Sequence, residues 1–314
     1  MTRTRPPPST PRPCGPGRAA GLALALALPL ALTACGSDEG PVWPLSGDAE
    51  PQRLSSTFGP RLQAGKDFEY DFHRGIDIPA DKGSDVYAIA PGKVTRAGHD
   101  SEYSDKLVQI EHCDGVGACF YSNSMHLSEA CVEEGDEVEA GDLIGLSGKG
   151  ESGFPHLHFE IREGESGQDN CVHPLSKLPG LGPVRPTVAI GTIDDENPSD
   201  VSVEVDISMS ARHPTLIRVE ITTRDRDTGQ FLEERELDLV EWNRKWSRAK
   251  DPDLIDNPYV GDMRIKPMMF SEESDSYEIQ VRFDELIGAG QAGDLAVTAR
   301  AFDVYGGEGV ASSP

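Results

Sequence analysis

The sequence predicts a mainly β protein, an antiparallel-sheet domain followed by a β-sandwich, and two patterns carry that expectation. From about 53 to 178, short apolar runs (Val86–Ala90, Leu107–Ile110, Val138–Gly145 and Leu157–Ile161) are punctuated by glycines, as brief strands joined by turns would be. Further on, Val201, Val203, Val205, Ile207 and Met209 alternate strictly with Ser, Glu, Asp and Ser. The same period of two recurs at Ile217-Val219-Ile221, at Tyr277-Ile279-Val281-Phe283 and at Leu295-Val297-Ala299-Ala301. Such half-buried strands separated by polar turns describe a sandwich of immunoglobulin-like type.

At the amino terminus Arg3, Arg5, Arg12 and Arg18 precede an Ala/Leu run from Ala19 to Ala31, and Leu32-Thr33-Ala34-Cys35 follows. A membrane-spanning helix needs about 20 apolar residues, and this run is shorter. Small residues before a cysteine look instead like a lipoprotein signal peptide, residues 1–34, with cleavage before Cys35 and acylation of its thiol. Gly36 is not the Asp of an inner-membrane retention signal. The expected address is therefore the cell envelope, on the outer membrane facing the periplasm where the cell has one. Residues 35–52 read as the acylated cysteine and a flexible tether, 53–178 as the sheet domain, 179–186 as a Pro/Gly linker and 187–314 as the sandwich.

The formal net charge of −25, with no Lys/Arg run to offset it, repels phosphate backbones and argues against nucleic-acid binding. Export implies an oxidising compartment, and the cysteines agree. Setting aside Cys14 in the signal and Cys35 at the lipid site leaves Cys113, Cys119, Cys131 and Cys171. Cys113 and Cys119 bracket the tight turn Asp-Gly-Val-Gly-Ala and are paired on that ground; Cys131 and Cys171 are paired by elimination. No Cys-x-x-Cys exists to support a cysteine metal site.

Chemistry concentrates in three histidine contexts. In His73-Arg74-Gly75-Ile76-Asp77-Ile78-Pro79 the spacing of four puts His73 and Asp77 on one side, and Gly75 with Pro79 argues for a strand over a helix. In Pro155-His156-Leu157-His158-Phe159-Glu160-Ile161, alternation sends Leu157, Phe159 and Ile161 to a core and His156, His158 and Glu160 to the other face. The third is Met125-His126-Leu127-Ser128. Imidazole and carboxylate are both zinc donors, and three protein ligands with a fourth position left to water mark a catalytic site. Glu160 reads either as an orienter of a neighbouring ligand or as a solvated strand residue. His99, His112, His173 and His213 show no partner pattern and read as surface or hydrogen-bonding residues.

The order His-x3-Asp, then His-Leu-Ser, then His-Leu-His-Phe-Glu resembles the lysostaphin-type (LytM-like) zinc metallopeptidases, which are peptidoglycan endopeptidases. Ser55-Ser56-Thr57-Phe58-Gly59-Pro60-Arg61, Val86-Tyr87-Ala88 with Pro91-Gly92-Lys93-Val94, and Gly135 to Gly145 resemble other segments of that family. The resemblance runs from about 54 to 163 and implies zinc on His73, Asp77 and His158. It also implies His126 and His156 as the catalytic pair, with either as general base, and peptidoglycan as substrate. The chain departs from the family in the cysteine-bounded loop Cys113–Asn123 and in Phe154-Pro155, where Gly-Pro is usual. Two other functions fit parts of the sequence. One is a non-catalytic wall-binding or amidase-activating member, which would have lost ligands; the other is a lipoyl-type carrier, which would need Lys149 at a hairpin tip.

Overall fold

The structure, a computed structural model, describes residues 40–313 except 64–68, 102, 104, 115–116, 151–152, 211–213, 249–258, 261–262, 272–275 and 291–292. The export signal, Cys14, Cys35 and His213 lie outside the described residues. Among those described, no helix is long and apolar enough to cross a membrane.

The first part of the chain forms β1 (Gly59–Gln63), β2 (Glu69–His73), β3 (Ile76–Pro79), β4 (Asp85–Tyr87), β5 (Gly92–Asp100) and β6 (Asp105–Cys113). It continues through β7 (Cys119–Met125), β8 (Leu127–Ala130), β9 (Glu137–Val138), β10 (Leu143–Lys149), β11 (Pro155–Glu163) and β12 (Cys171–Val172). β1 and β2 pair with each other, while the rest make a ten-stranded sheet of order β4-β10-β11-β7-β6-β5-β9. In that sheet β3 and β12 pair with β11, and β8 pairs with β10. Strand β11 is the pivot. Its Leu157, Phe159 and Ile161 enter the core as alternation requires, beside Ile76, Ile78, Val108 and Ile110.

The second part comprises β13 (Thr187–Asp194), β14 (Val201–Ser210), β15 (Leu216–Asp225), β16 (Phe231–Asp238), α1 (Leu239–Arg248), β17 (Tyr259–Val260), β18 (Met263–Ser271), β19 (Ser276–Leu286), β20 (Leu295–Asp303) and β21 (Glu308–Ser312). Two antiparallel sheets, β13-β14-β19-β18-β17 and β16-β15-β20-β21, face one another. The alternating residues of β14, β19 and β20 all point into the core between them. Helix α1 is capped by Asp238, whose carboxylate accepts from Val240 and Glu241 N–H at 2.8 and 2.9 Å.

The two parts share one apolar cluster. Phe58, Phe72 and Cys171 pack with Trp242, Tyr277 and the sandwich core. At the seam, His173 donates from Nε2 to Pro214 O at 3.1 Å and accepts from Leu175 N–H at 3.3 Å, and Tyr305 donates to Leu175 O at 2.6 Å.

Three expectations change. Residues 42–48 are not a free tether: Trp43 is wholly buried, its indole donates to Pro179 O, and Val42 N–H bonds Ile89 O. Burying an indole there outweighs the turn-forming composition around it. Cys113 and Cys119 form a disulfide across directly opposed residues of the β6–β7 hairpin. Cys171, however, is a free buried thiol, so the bridge to Cys131 is not made. Cys171 sits on β12 against Arg162 and Glu160, whereas Cys131 follows β8 alongside β10, where its N–H bonds Ile144 O. Elimination over cysteines carries no information about which strands are neighbours. Finally, His73 and Asp77 belong to two strands, because Arg74-Gly75 breaks the run.

Burial pushes the His173 imidazole down from 6.5 to about 4, with smaller opposing help from Pro214. The fold thus holds the neutral form, while the unfolded chain takes up a proton below about pH 6.5. The contribution is complete above that pH and falls as pH drops towards 4, by roughly 2–3 kcal/mol at pH 4.5. Urea melts at pH 7 and pH 4.5 should show a larger loss for the wild type than for His173→Gln; equal losses would contradict this assignment.

Candidate metal centre

Register brings the three histidine contexts together. On β11, His158 lies opposite Asp77 of β3 on one side and Met125 of β7 on the other, and His156 lies opposite Pro79. His126 follows Met125 at the β7–β8 junction, and His73 ends β2. The chain can pass close over the His158 ring only because residue 75 is glycine. A Cβ there would stand 2.4 Å from Phe159 O and 3.0 Å from the imidazole.

Three donor atoms converge: His73 Nε2, Asp77 Oδ1 and His158 Nδ1, with mutual separations of 3.1, 2.9 and 3.0 Å. Donors on a tetrahedral ion with bonds of about 2.0–2.1 Å lie roughly 3.3 Å apart, so small movements suffice to ligate. The outward nitrogens settle the tautomers. His73 Nδ1 donates to the carbonyl of Thr57 at 2.8 Å, which can only accept, and His158 Nε2 meets Glu160 Oε1 at 3.2 Å. With each ring neutral, both remaining nitrogens would point lone pairs at one place beside a carboxylate oxygen, a donor set fitted to a cation that displaces the second proton of His158. The second Asp77 oxygen is taken by Arg61 Nη1 at 3.1 Å, leaving one oxygen as ligand. Glu111, Cys113 and Cys119 also lie close together, but the two sulfurs are bonded to each other.

Electrostatics follow this geometry. Burial and the Arg61 charge push His73 down to about 4, against the pull of Asp77. Burial also opposes charge on His158, yet hydrogen bonds to Asp77 and Glu160 outweigh it and raise the ring to about 9. Asp77 lies well below the ordinary carboxylate range: burial resists, but His73 and His158 prevail. Glu160, only 1% exposed, is likewise lowered because the Arg162 charge and His158 outweigh its burial.

His126 and His156 stand beside this cluster, their rings 4.9 Å apart, with His126 5.5 Å from the His158 ring. His126 has φ of 60°, an uncommon conformation held in place twice over. Asp105 Oδ2 accepts from its backbone N–H at 2.8 Å and from its Nδ1 at 2.6 Å. The Asp105 carboxyl is lowered because those bonds outweigh its burial. His156 Nδ1 donates to Phe154 O at 2.8 Å, and its Nε2 lies 3.7 Å from Asp77 Oδ1. Both rings thus present Nε2 to the site. Phe154, 76% exposed, stands at its edge.

The structure therefore gathers all five residues singled out in sequence, and places Glu160 as the partner of His158. Four contributors went unassigned, Arg61 among them, which the sequence offered only as part of a family-like segment. Asp105 lies 21 residues from His126 with no motif around it. The Thr57 carbonyl is backbone and leaves no sequence signal. Arg162 could have been found, since the row His156, His158, Glu160, Arg162 continues along one face of β11.

Residues 71–170 match the family model described as peptidase family M23. The glycyl-glycine endopeptidase ALE-1 of Staphylococcus capitis is 35% identical over 111 residues, 35% of this chain and 30% of its own length. The DD-carboxypeptidase/endopeptidase Mpg of Neisseria meningitidis serogroup B is 38% identical over 111 residues, 35% of this chain and 24% of its own. The chain thus spans under a third of the length of these curated relatives. A solved catalytic domain of lysostaphin from Staphylococcus simulans aligns at 29% identity over 40% of this chain and 90% of that one, with a TM-score of 0.35.

One divalent metal ion per chain is expected after dialysis. It should be lost in His158→Ala and Asp77→Ala and kept in His126→Ala and His156→Ala, as read by atomic absorption. Retention in the first pair, or loss in the second, would contradict the division into ligands and neighbours.

Proposed function

We propose, on the match of residues 71–170 to the model of peptidase family M23, that the protein is a zinc metalloendopeptidase that hydrolyses peptide cross-links of bacterial peptidoglycan. The observation that carries the reading is the convergence of His73 Nε2, Asp77 Oδ1 and His158 Nδ1 beside two imidazoles whose Nε2 atoms are free to act. The names of the relatives, a glycyl-glycine endopeptidase and a DD-carboxypeptidase/endopeptidase, support peptide bonds of cell wall as the substrate class.

His73, Asp77 and His158 would hold the zinc, which when bound would supply Lewis acidity and lower the pKa of a water to about 7. The chain's own groups do the rest. His126 is the general base: its Nδ1–H is committed to Asp105, which leaves the Nε2 lone pair to take a proton. The Asp105 carboxylate then stabilises the imidazolium, and His126 can return the proton to the leaving amine. His156, whose Nδ1 is held by the Phe154 carbonyl, turns Nε2 to the site, where, carrying a proton, it would donate to the developing oxyanion. Arg61 keeps the second Asp77 oxygen from turning towards the site.

Purified peptidoglycan should be cleaved by residues 36–314, cleavage should stop with a chelator, and added zinc should restore it. His126→Ala should lower turnover about 10²–10⁴-fold with zinc retained, and Asp105→Asn should lower it in the same sense by a smaller factor. Binding of the wall with no released fragments, zinc being bound, would replace this reading with a wall-binding module. We also place the protein at the cell envelope through a lipid on Cys35, on the strength of the segment preceding it. Cys35→Ser should shift the protein from the membrane fraction to the soluble one; unchanged membrane recovery would refute the anchor.

A further inference from the structure

We propose that the C-terminal sandwich is a working part of the metal centre, clamping the segments that orient all three ligands. The proposal rests on the reading of His73, Asp77 and His158 as ligands.

Each ligand is reached from the sandwich through a short hydrogen-bonded path. The first leads to His73. Its Nδ1–H is held by the carbonyl of Thr57, and the Thr57 hydroxyl donates across the seam to Pro214 O at 2.7 Å. Thr57 is 5% exposed, so neither bond competes with bulk water. The second leads to Asp77. Residues Ser55 and Ser56 pair with its backbone, Ser55 N–H to Asp77 O at 2.9 Å and Asp77 N–H to Ser56 O at 3.0 Å. From the sandwich, the buried Tyr277 phenol donates to Ser55 O at 3.1 Å. The third leads to His158. Its Nε2 partner Glu160 accepts from Gln168 Nε2 at 3.1 Å, and Asn243 of α1 donates to Gln168 O at 3.0 Å and to Cys171 O at 3.4 Å. Asn243 is fully buried.

A sandwich that merely adds a second binding surface needs none of this. It could hang on its linker and touch the sheet domain at an exposed face. Here the contacts are buried and converge on the two stretches, 55–58 and 168–171, that hold the outward sides of the ligands. Partners outside the ligand sphere set ring orientation, and their loss typically weakens metal binding by about 10–100-fold. Thr57, Tyr277 and Asn243 are on this account positioning residues.

The test separates positioning from simple docking by comparing variants across the same seam. Thr57→Val keeps shape and removes the hydroxyl, and Tyr277→Phe removes the phenol. Each should weaken zinc binding by about tenfold in competition with a chelating dye and change the absorption spectrum of the cobalt-substituted protein. Thr57→Ser should restore both readouts. Tyr305→Phe serves as control: it also deletes a bond across the seam, from Tyr305 to Leu175 O, but one that leads to no ligand. It should lower Tm and leave zinc affinity and the cobalt spectrum unchanged. If Thr57→Val and Tyr277→Phe lower Tm with zinc affinity intact, the sandwich is only a stabilising neighbour and the proposal falls. A wild-type protein that binds no zinc would instead bring down the metallopeptidase reading on which this one stands.

Discussion

Three lone pairs from three strands aimed at one point are the constraint to which the surrounding structure answers. Without an ion, Asp77 Oδ1 draws both imidazole nitrogens to about 3 Å by hydrogen bonds that a bound cation would replace. The three groups are also held from outside. A backbone carbonyl draws the proton of His73 outward, Glu160 draws that of His158, and Arg61 occupies the second oxygen of Asp77. Glu160 is itself affordable in a buried position only because Arg162 pairs with it at 2.5 Å. In a chain of net charge −25 the cations at the site are few, and these two act on carboxylates that touch or orient ligands.

The two imidazoles beside the cluster differ in a way that their ring geometry alone would hide. His126 is tied by a carboxylate through both backbone and ring, which holds it at a left-handed φ uncommon for a non-glycine residue. His156 rests on the carbonyl of Phe154 two residues before it. His126 bonds a carboxylate through Nδ1 and His156 a neutral carbonyl, and the proposed division between base and oxyanion donor rests on that difference.

Much of this was legible in sequence, and what was not has physical reasons. Period-two alternation located β14, β19 and β20 because one face of each strand is buried and the pattern records it directly. The row His156, His158, Glu160 on one side of β11 was legible for the same reason. Alternation says which residues share a face, not what covers that face. Glu160 therefore read as an orienter or a solvated residue with nothing to decide between them, although residues 166–171 cover it and its neighbour Arg162. Contacts between segments distant in the chain leave no local trace: Asp105 with His126, Thr57 with Pro214, and Trp43 with Pro179 are invisible to spacing. Cys171 was misassigned on the same account, since counting cysteines ignores which strands adjoin.

The central claim concerns one place in the molecule, and anomalous diffraction at the zinc edge from zinc-loaded crystals addresses it most directly. The account predicts a single strong peak at about 2.0–2.2 Å from His73 Nε2, Asp77 Oδ1 and His158 Nδ1 together. A peak held by other side chains, or none at that position under saturating zinc, would contradict it.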